Sequence, residues 1–351
     1  MSFHSVLSDD EPQLFRLPRP LRLESGAVLA PVEVAYQTYG QLNPARDNVV
    51  WVCHALTANA SVLDWWPGLF GPGCYFDPAD WFIVCANVLG SCYGSTGPLS
   101  ESETTGQPHY HAFPLLTVRD LVAAHEALRE HLALRRIHTL IGGSLGGQQA
   151  VEWAVQQPAL FENLMLIATN ARHSAWGIAF NEAQRLAVFA DPTYAAATPE
   201  GGAAGLRAAR AVALLSYRSY DAYQRSQTEP DDEQLDDYRA SSYQRYQGDK
   251  LVARFNAYSY VALSRTMDSH HVGRGRGGVR EALGRIRART LVVGITSDVL
   301  FPPPEQQLLA RYIQGAMYAE MDSQYGHDGF LLETAHLTHF FERFHVQTYV
   351  H

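Results

Sequence analysis

A serine with glycine two positions before it and two positions after it constrains this chain more than any other feature. In IHTLIGGSLGGQQAVEWA, the stretch Gly142-Gly143-Ser144-Leu145-Gly146 separates an apolar run, residues 137–141, from a helical pattern, residues 145–157. Small residues at those offsets let the backbone turn sharply from strand to helix, and the turn presents the hydroxyl at the end of the strand. A helix beginning directly after Ser144 also aims unpaired N–H groups at any nearby anion. A Gly-rich strand–helix turn with an incidental serine fits the same letters. A phosphate loop does not, because no Gly-Lys-Ser/Thr follows.

The rest of the chain supplies a sheet for such a turn. Two short, nearly continuous apolar runs at 49–56 and 81–87 suit strands buried on both faces of a parallel sheet. Residues 21–40 alternate about a Ser25–Gly26 turn and predict a hairpin. Residues 118–134 have helical spacing, and 163–169 read as a further strand. Strand character then disappears between 171 and 285, where Ala, Tyr, Gln and Arg recur at helical spacing, broken by Pro192, Pro199 and EPDDEQLDD. Alternation returns with a strand at 290–298, a helix at 304–313, a strand at 316–321 and a final helix after Gly329. The pattern predicts an α/β fold with a mostly parallel central sheet flanked by helices. Residues 1–170 and 286–351 form its core domain, and 171–285 form a helical lid inserted into it.

At 351 residues and 46% hydrophobic, the chain can bury a substantial core without disulfides or structural metal. Its formal net charge of −9 argues against nucleic acid and anionic membranes as partners, since both need a clustered basic footprint. A small anionic substrate stays possible, because one local arginine outweighs a distant negative field. No run of about 18 apolar residues is long enough to span a bilayer. The first residues lack a signal-peptide pattern, which points to the cytoplasm. Cys53, Cys74, Cys85 and Cys92 form no C-x-x-C pair and have no histidine at zinc-finger spacing, so reduced thiols and no metal site are expected.

A serine is a weak nucleophile without a base, so the chain must also supply a histidine and an acid. Asp298 closes the 290–298 run, where a carboxylate emerges at the same edge of the sheet as Ser144. His327, in QYGHDGF, lies after the next strand and before the last helix. A histidine in a Gly-flanked loop is ordinarily only solvated; the glycine-flanked serine and Asp298, in that chain order, give this one a role. Gly273, Gly275 and Gly278 fit G-x-G-x-x-G, with Asp298 about 20 residues on, as a dinucleotide fingerprint requires. The segment before them, SYVALSRTMDSHHV, is not a short buried strand, and the glycines read as a turn.

Several segments go beyond a generic pattern: CHALT at 53–57, NVLGSCYGSTGP at 87–98, GGSLGGQQA at 142–150, YRSY at 217–220, YQGDKLVARFNAYSY at 246–260, MDSHHVGRGRGG at 267–278, SDVLFPP at 297–303 and YGHDGFL at 325–331. Together they resemble the homoserine O-acetyltransferase family of the α/β-hydrolase fold, over nearly the whole chain. The resemblance implies that Ser144 accepts the acyl group, His327 is general base and acid, and Asp298 orients it. It implies an oxyanion hole from the backbone N–H groups of Leu56 and Leu145. Arg210 then corresponds to the lid residue that holds the substrate carboxylate, Tyr217 to a pocket tyrosine, and Asp328 to the acceptor of the substrate ammonium. L-Homoserine and acetyl-CoA are the implied substrates, with no metal or bound cofactor, a homodimer through the lid, and a place in methionine biosynthesis.

An arginine fork suits the carboxylate of a zwitterion and an aspartate suits its ammonium. The segment ANASVLDWWPG after Thr57 departs from the family, many of whose members carry Gly-Asp and a histidine there. Because it borders the acyl pocket, donor choice is the property it affects. Succinyl transfer to homoserine and acyl transfer to serine keep the same residues. A plain esterase would lack the grip on a zwitterion, and a binding protein on this fold would typically lose a member of the triad.

Overall fold

A computed structural model describes residues 11–346 of the chain. In chain order the strands are β1 (Gln13–Arg16), β2 (Leu21–Arg22), β3 (Val28–Leu29), β4 (Glu33–Tyr39), β5 (Val49–Cys53), β6 (Phe82–Ala86), β7 (Ile137–Gly143), β8 (Phe161–Ile167), β9 (Arg289–Ile295) and β10 (Met317–Met321). Eight of them form one sheet in the order β1-β4-β6-β5-β7-β8-β9-β10. Every pair from β6 to β10 is parallel, and β1 and β4 close the other edge antiparallel. Every residue of β5 is buried, and β7 and β8 are buried at all but one position each, which is why these strands carry no polar alternation.

The hairpin expected at 21–40 is shorter than its alternation suggested. Only β2 and β3 pair, two residues each, with Gly26 at φ 89° in the turn. β4 leaves that ribbon and hydrogen-bonds between β1 and β6, where its apolar side chains are buried. The apolar run at 49–56 also stops being strand early, at Cys53. His54 turns inward there, fully buried, with Nε2 accepting the Val88 N–H at 3.0 Å. Leu56 therefore sits on a loop at the end of β5. Asp298 likewise lies three residues beyond the end of β9. After Gly329 the chain forms a short helix, Gly329–Leu332, and then Thr334–Val346.

Between β8 and β9 the chain forms six α-helices and, among the described residues, no strand of the sheets: Ala175–Phe189, Ala203–Tyr217, Tyr220–Gln227, Arg239–Val252, Ala257–Asp268 and Val279–Leu283. The glycines at 273, 275 and 278 follow a helix, not a strand, so the dinucleotide fingerprint lacks its structural context.

Two contacts fix the helices nearest the serine. Trp153, on the helix Leu145–Gln156, packs edge-on against Trp51 of β5 at 5.0 Å between ring centroids, and both are fully buried. Helix Val118–His131 packs beside it, and its Asp120 carboxylate accepts the Thr117 N–H at 2.7 Å and the Glu24 N–H at 2.8 Å. Asp120→Ala is expected to cost about 1–2 kcal/mol of stability by orphaning both donors, seen as a lower urea midpoint at unchanged slope. A midpoint equal to that of the parent protein would show that water replaces the carboxylate.

Candidate active site

The parallel register brings the ends of β5, β7, β9 and β10 to one edge of the sheet, and the loops there carry Leu56, Ser144, Asp298 and His327. Ser144 joins β7 to its helix at φ 56°, ψ −126°, a conformation that L-residues rarely adopt. The flanking glycines are required by close approach. A Cβ on Gly142 would lie 2.3 Å from the Gly146 backbone, and one on Gly146 would lie 2.0 Å from the Cys53 carbonyl oxygen. The strained turn is held from behind, since the Ser144 N–H donates to Ile167 O at 3.1 Å and Thr169 Oγ1 donates to Ser144 O at 2.9 Å.

His327 Nε2 lies 2.8 Å from Ser144 Oγ, and its Nδ1 lies 2.6 Å from Asp298 Oδ2. Asp298 is held in turn by the N–H groups of Leu300 and Phe301, both donating to Oδ1 at 2.8 Å. The imidazole stacks on Phe301 at 5.0 Å, which fixes its plane. All three side chains are buried. Such a relay can move a proton from a serine hydroxyl to an imidazole while the carboxylate holds the tautomer and steadies the developing charge. Burial opposes the charged imidazole, but attraction and hydrogen bonding to Asp298 outweigh it, Asp328 adds to them, and the His327 pKa ends above its ordinary value.

The N–H groups of Leu56 and Leu145 have no hydrogen-bond acceptor among the described residues. Leu145 opens the helix behind Ser144, and Leu56 lines the same cavity as the serine. Free donors at that place suit an oxyanion.

The cavity has a volume of about 700 Å³ and is lined by Ser144, His327 and Asp328 together with Arg210, Tyr217 and Arg218 from the helical segment. The Arg210 guanidinium lies 5.4 Å over the Tyr217 ring, and its Nε is buried without a partner. Tyr217 also faces the His327 ring, at 6.0 Å. Burial pushes the Asp328 carboxyl above its usual range, and the nearby Arg218 and Arg210 only partly offset this. Every residue expected at the site is therefore found around one cavity except Asp298, which stands behind His327, and Leu145, whose backbone faces the serine.

The sequence reading missed Arg218, Arg254 and Tyr93. Arg218 Nε pairs with Asp328 Oδ2 at 2.9 Å, so the carboxylate proposed for an ammonium already holds one cation. Arg254 donates to Thr57 O at 2.6 Å and to Tyr93 OH at 2.5 Å, tying the Leu56 loop to the helical segment. Arg218 directly follows Tyr217 within YRSY, the one signal that could have drawn attention to it. The segment of unusual sequence contributes Asn59, Asp64 and Trp65 to the cavity wall and no basic side chain.

The α/β hydrolase fold family model matches residues 48–334. A homoserine O-acetyltransferase of Cyclobacterium marinum is 46% identical over 335 residues, covering 95% of both chains. The chain belongs to the homoserine O-acetyltransferase family. A crystal structure of a homoserine O-acetyltransferase from Staphylococcus aureus superimposes with a TM-score of 0.78 at 30% identity, covering 94% of each chain. The crystal structure of esterase E22 superimposes with a TM-score of 0.87 at 21% identity, over 95% of this chain and 99% of that one, and shares the fold.

Proposed function

We propose that this enzyme transfers the acetyl group of acetyl-CoA to the hydroxyl of L-homoserine, through an acetyl-Ser144 intermediate. The observation that carries the reading is that Arg210 and Asp328, of opposite charge, face the cavity that holds Ser144. An esterase needs neither, whereas a zwitterionic acceptor needs both.

In the first half-reaction His327 Nε2 takes the proton of Ser144, and Oγ attacks the thioester carbonyl. The Leu56 and Leu145 N–H groups receive the oxyanion, and the tetrahedral intermediate collapses with transfer of the proton to the departing CoA sulfur. In the second half, Arg210 holds the homoserine carboxylate and Asp328 its ammonium, so that the acceptor hydroxyl stands beside the acetyl carbonyl. His327 removes the hydroxyl proton, the oxygen attacks, and Ser144 leaves with that proton. Gripping the acceptor gives it an effective molarity that water lacks, and helices 175–283 act as the lid that keeps the cavity partly closed. No metal or bound cofactor takes part. The enzyme would work as a cytoplasmic homodimer in methionine biosynthesis; among the described residues, no helix is long and apolar enough to cross a membrane.

Acetyl is favoured over succinyl because relatives 42–46% identical over nearly the whole chain are homoserine O-acetyltransferases. Thiol release from acetyl-CoA and succinyl-CoA, each with L-homoserine or L-serine, tests both choices. Release confined to acetyl-CoA with homoserine supports the reading, and faster turnover of succinyl-CoA or serine overturns it.

The relay also sets a pH dependence. His327 must be neutral to accept the serine proton, and its raised pKa puts the acid limb of kcat/KM above the ordinary imidazole value of about 6.5. Asp328 helps to hold that pKa up, so Asp328→Asn is expected to move the limb to lower pH, besides weakening homoserine binding. A limb that moves upward would show that Asp328 does not act on His327 through its charge.

A further inference from the structure

The helix Arg239–Val252 presents Gln247, Lys250 and Leu251 to the cavity, followed by Arg254 one turn on, at the i, i+3, i+4, i+7 spacing of one helical face. Apolar side chains normally fill such a face when it packs inward. Here three of the four are polar or charged. Lys250 and Arg254 are exposed, whereas Ser144 and His327 are buried, so the two cations stand at the solvent mouth of the cavity and the reacting atoms at its floor. Among the described residues, Lys250 has no ion pair or side-chain hydrogen bond. Arg254 is held by Thr57 and Tyr93, not by a carboxylate. Among the described residues, Asp64 is the one carboxylate besides Asp328 on the cavity wall, and Arg218 already pairs with Asp328.

Lys250 is also the only lysine in the chain; the other 26 of the 27 Lys and Arg residues are arginine. Lysine and arginine have nearly equal helix propensity, so the helix does not explain the exception. Lysine offers a compact ammonium on a flexible stem that meets a phosphate as a point charge, a role that arginine's fork can also fill. The chain's net charge of −9 makes such a group useful. A CoA thioester carries a pyrophosphate and a 3′-phosphate, and a polyanion approaching an acidic protein needs local positive charge at the entrance.

We infer that Lys250, with Arg254 beside it, binds the phosphate groups of the acyl donor at the cavity mouth. This rests on the CoA-dependent reading of the active site. Lys250 then acts on donor capture and leaves the chemistry at Ser144 untouched. The truncated donor S-acetyl-pantetheine, which has the thioester and lacks the phosphates under test, separates those effects.

The experiment compares KM and kcat for acetyl-CoA and for S-acetyl-pantetheine in the parent enzyme, Lys250→Ala and Lys250→Arg. Lys250→Ala is expected to raise KM for acetyl-CoA about fivefold or more, with kcat and the pantetheine KM unchanged, and Lys250→Arg to recover most of the loss. An equal rise for both donors, or none for acetyl-CoA, overturns the inference while the transferase reading stands. Absence of acetyl transfer from either donor by the parent enzyme removes the transferase reading itself, and this inference with it. A footprint on the parent protein gives a second readout that needs no variant. An amine-reactive ester should label Lys250, and CoA but not pantetheine should protect it, as read by peptide mass. Equal protection by both ligands, or by neither, contradicts the assignment.

Discussion

Replacing Ser144 by alanine is expected to lower kcat by about four orders of magnitude or more and to leave no acyl-enzyme. The structure makes the size of this effect clear. Among the described residues the hydroxyl is the only nucleophile within reach of His327 Nε2, at 2.8 Å, and the strained turn that presents it is fixed by its backbone bonds to Ile167 and Thr169. Alanine keeps those bonds, so the variant should fold, retain the cavity and still bind both substrates. Intact mass after mixing with acetyl-CoA should show one added acetyl group on the parent enzyme and none on Ser144→Ala. An acetylated variant would place the covalent step on another residue.

The second large effect belongs to Arg210. Among the described residues its Nε is buried without a partner, and its charge is offset by the face of Tyr217 and by Asp328, a state that a bound carboxylate would resolve. Arg210→Met removes a charge-assisted fork, and the homoserine KM should rise roughly a hundredfold. The first half-reaction does not involve the acceptor, so the burst of thiol on mixing with acetyl-CoA should keep its rate. Arg210→Lys should rescue little, because an ammonium cannot make two parallel bonds to a carboxylate. An unchanged homoserine KM would move the carboxylate site to Arg218. A lost burst would mean that Arg210 supports the relay instead.

The parts of this architecture that were legible in the sequence are those that leave a mark on composition. The strand–helix turn at Ser144 demands glycine at 142 and 146 because backbone passes within 2.3 Å of where each side chain would start. β5, β7 and β8 are buried on both faces and so read as unbroken apolar runs. His327 and Asp298 became readable through their order behind Ser144, and then through the family resemblance.

Other features left no such mark. β1 is four residues long, QLFR, too short for alternation to register, and its strand character comes from pairing with β4. The apolar run through Leu56 looked continuous, yet His54 ends the strand by bonding to Val88, a contact set by tertiary packing. Arg218, Arg254 and Tyr93 lie within the segments YRSY, YQGDKLVARFNAYSY and NVLGSCYGSTGP that carry the family resemblance, but nothing in those letters gives them a role at the site. They enter the site only because the helical segment folds back over the sheet, and local spacing cannot report that.

In the proposed reaction the acceptor, not water, takes the acetyl group from Ser144. The most direct measurement follows both products, O-acetyl-L-homoserine and free acetate, from acetyl-CoA as L-homoserine is raised from zero to saturation. Slow acetate formation is expected to give way to O-acetyl-homoserine, with total thiol release rising alongside it. Acetate formation that stays dominant and indifferent to homoserine would identify a hydrolase, and the roles given to Arg210 and Asp328 would be wrong.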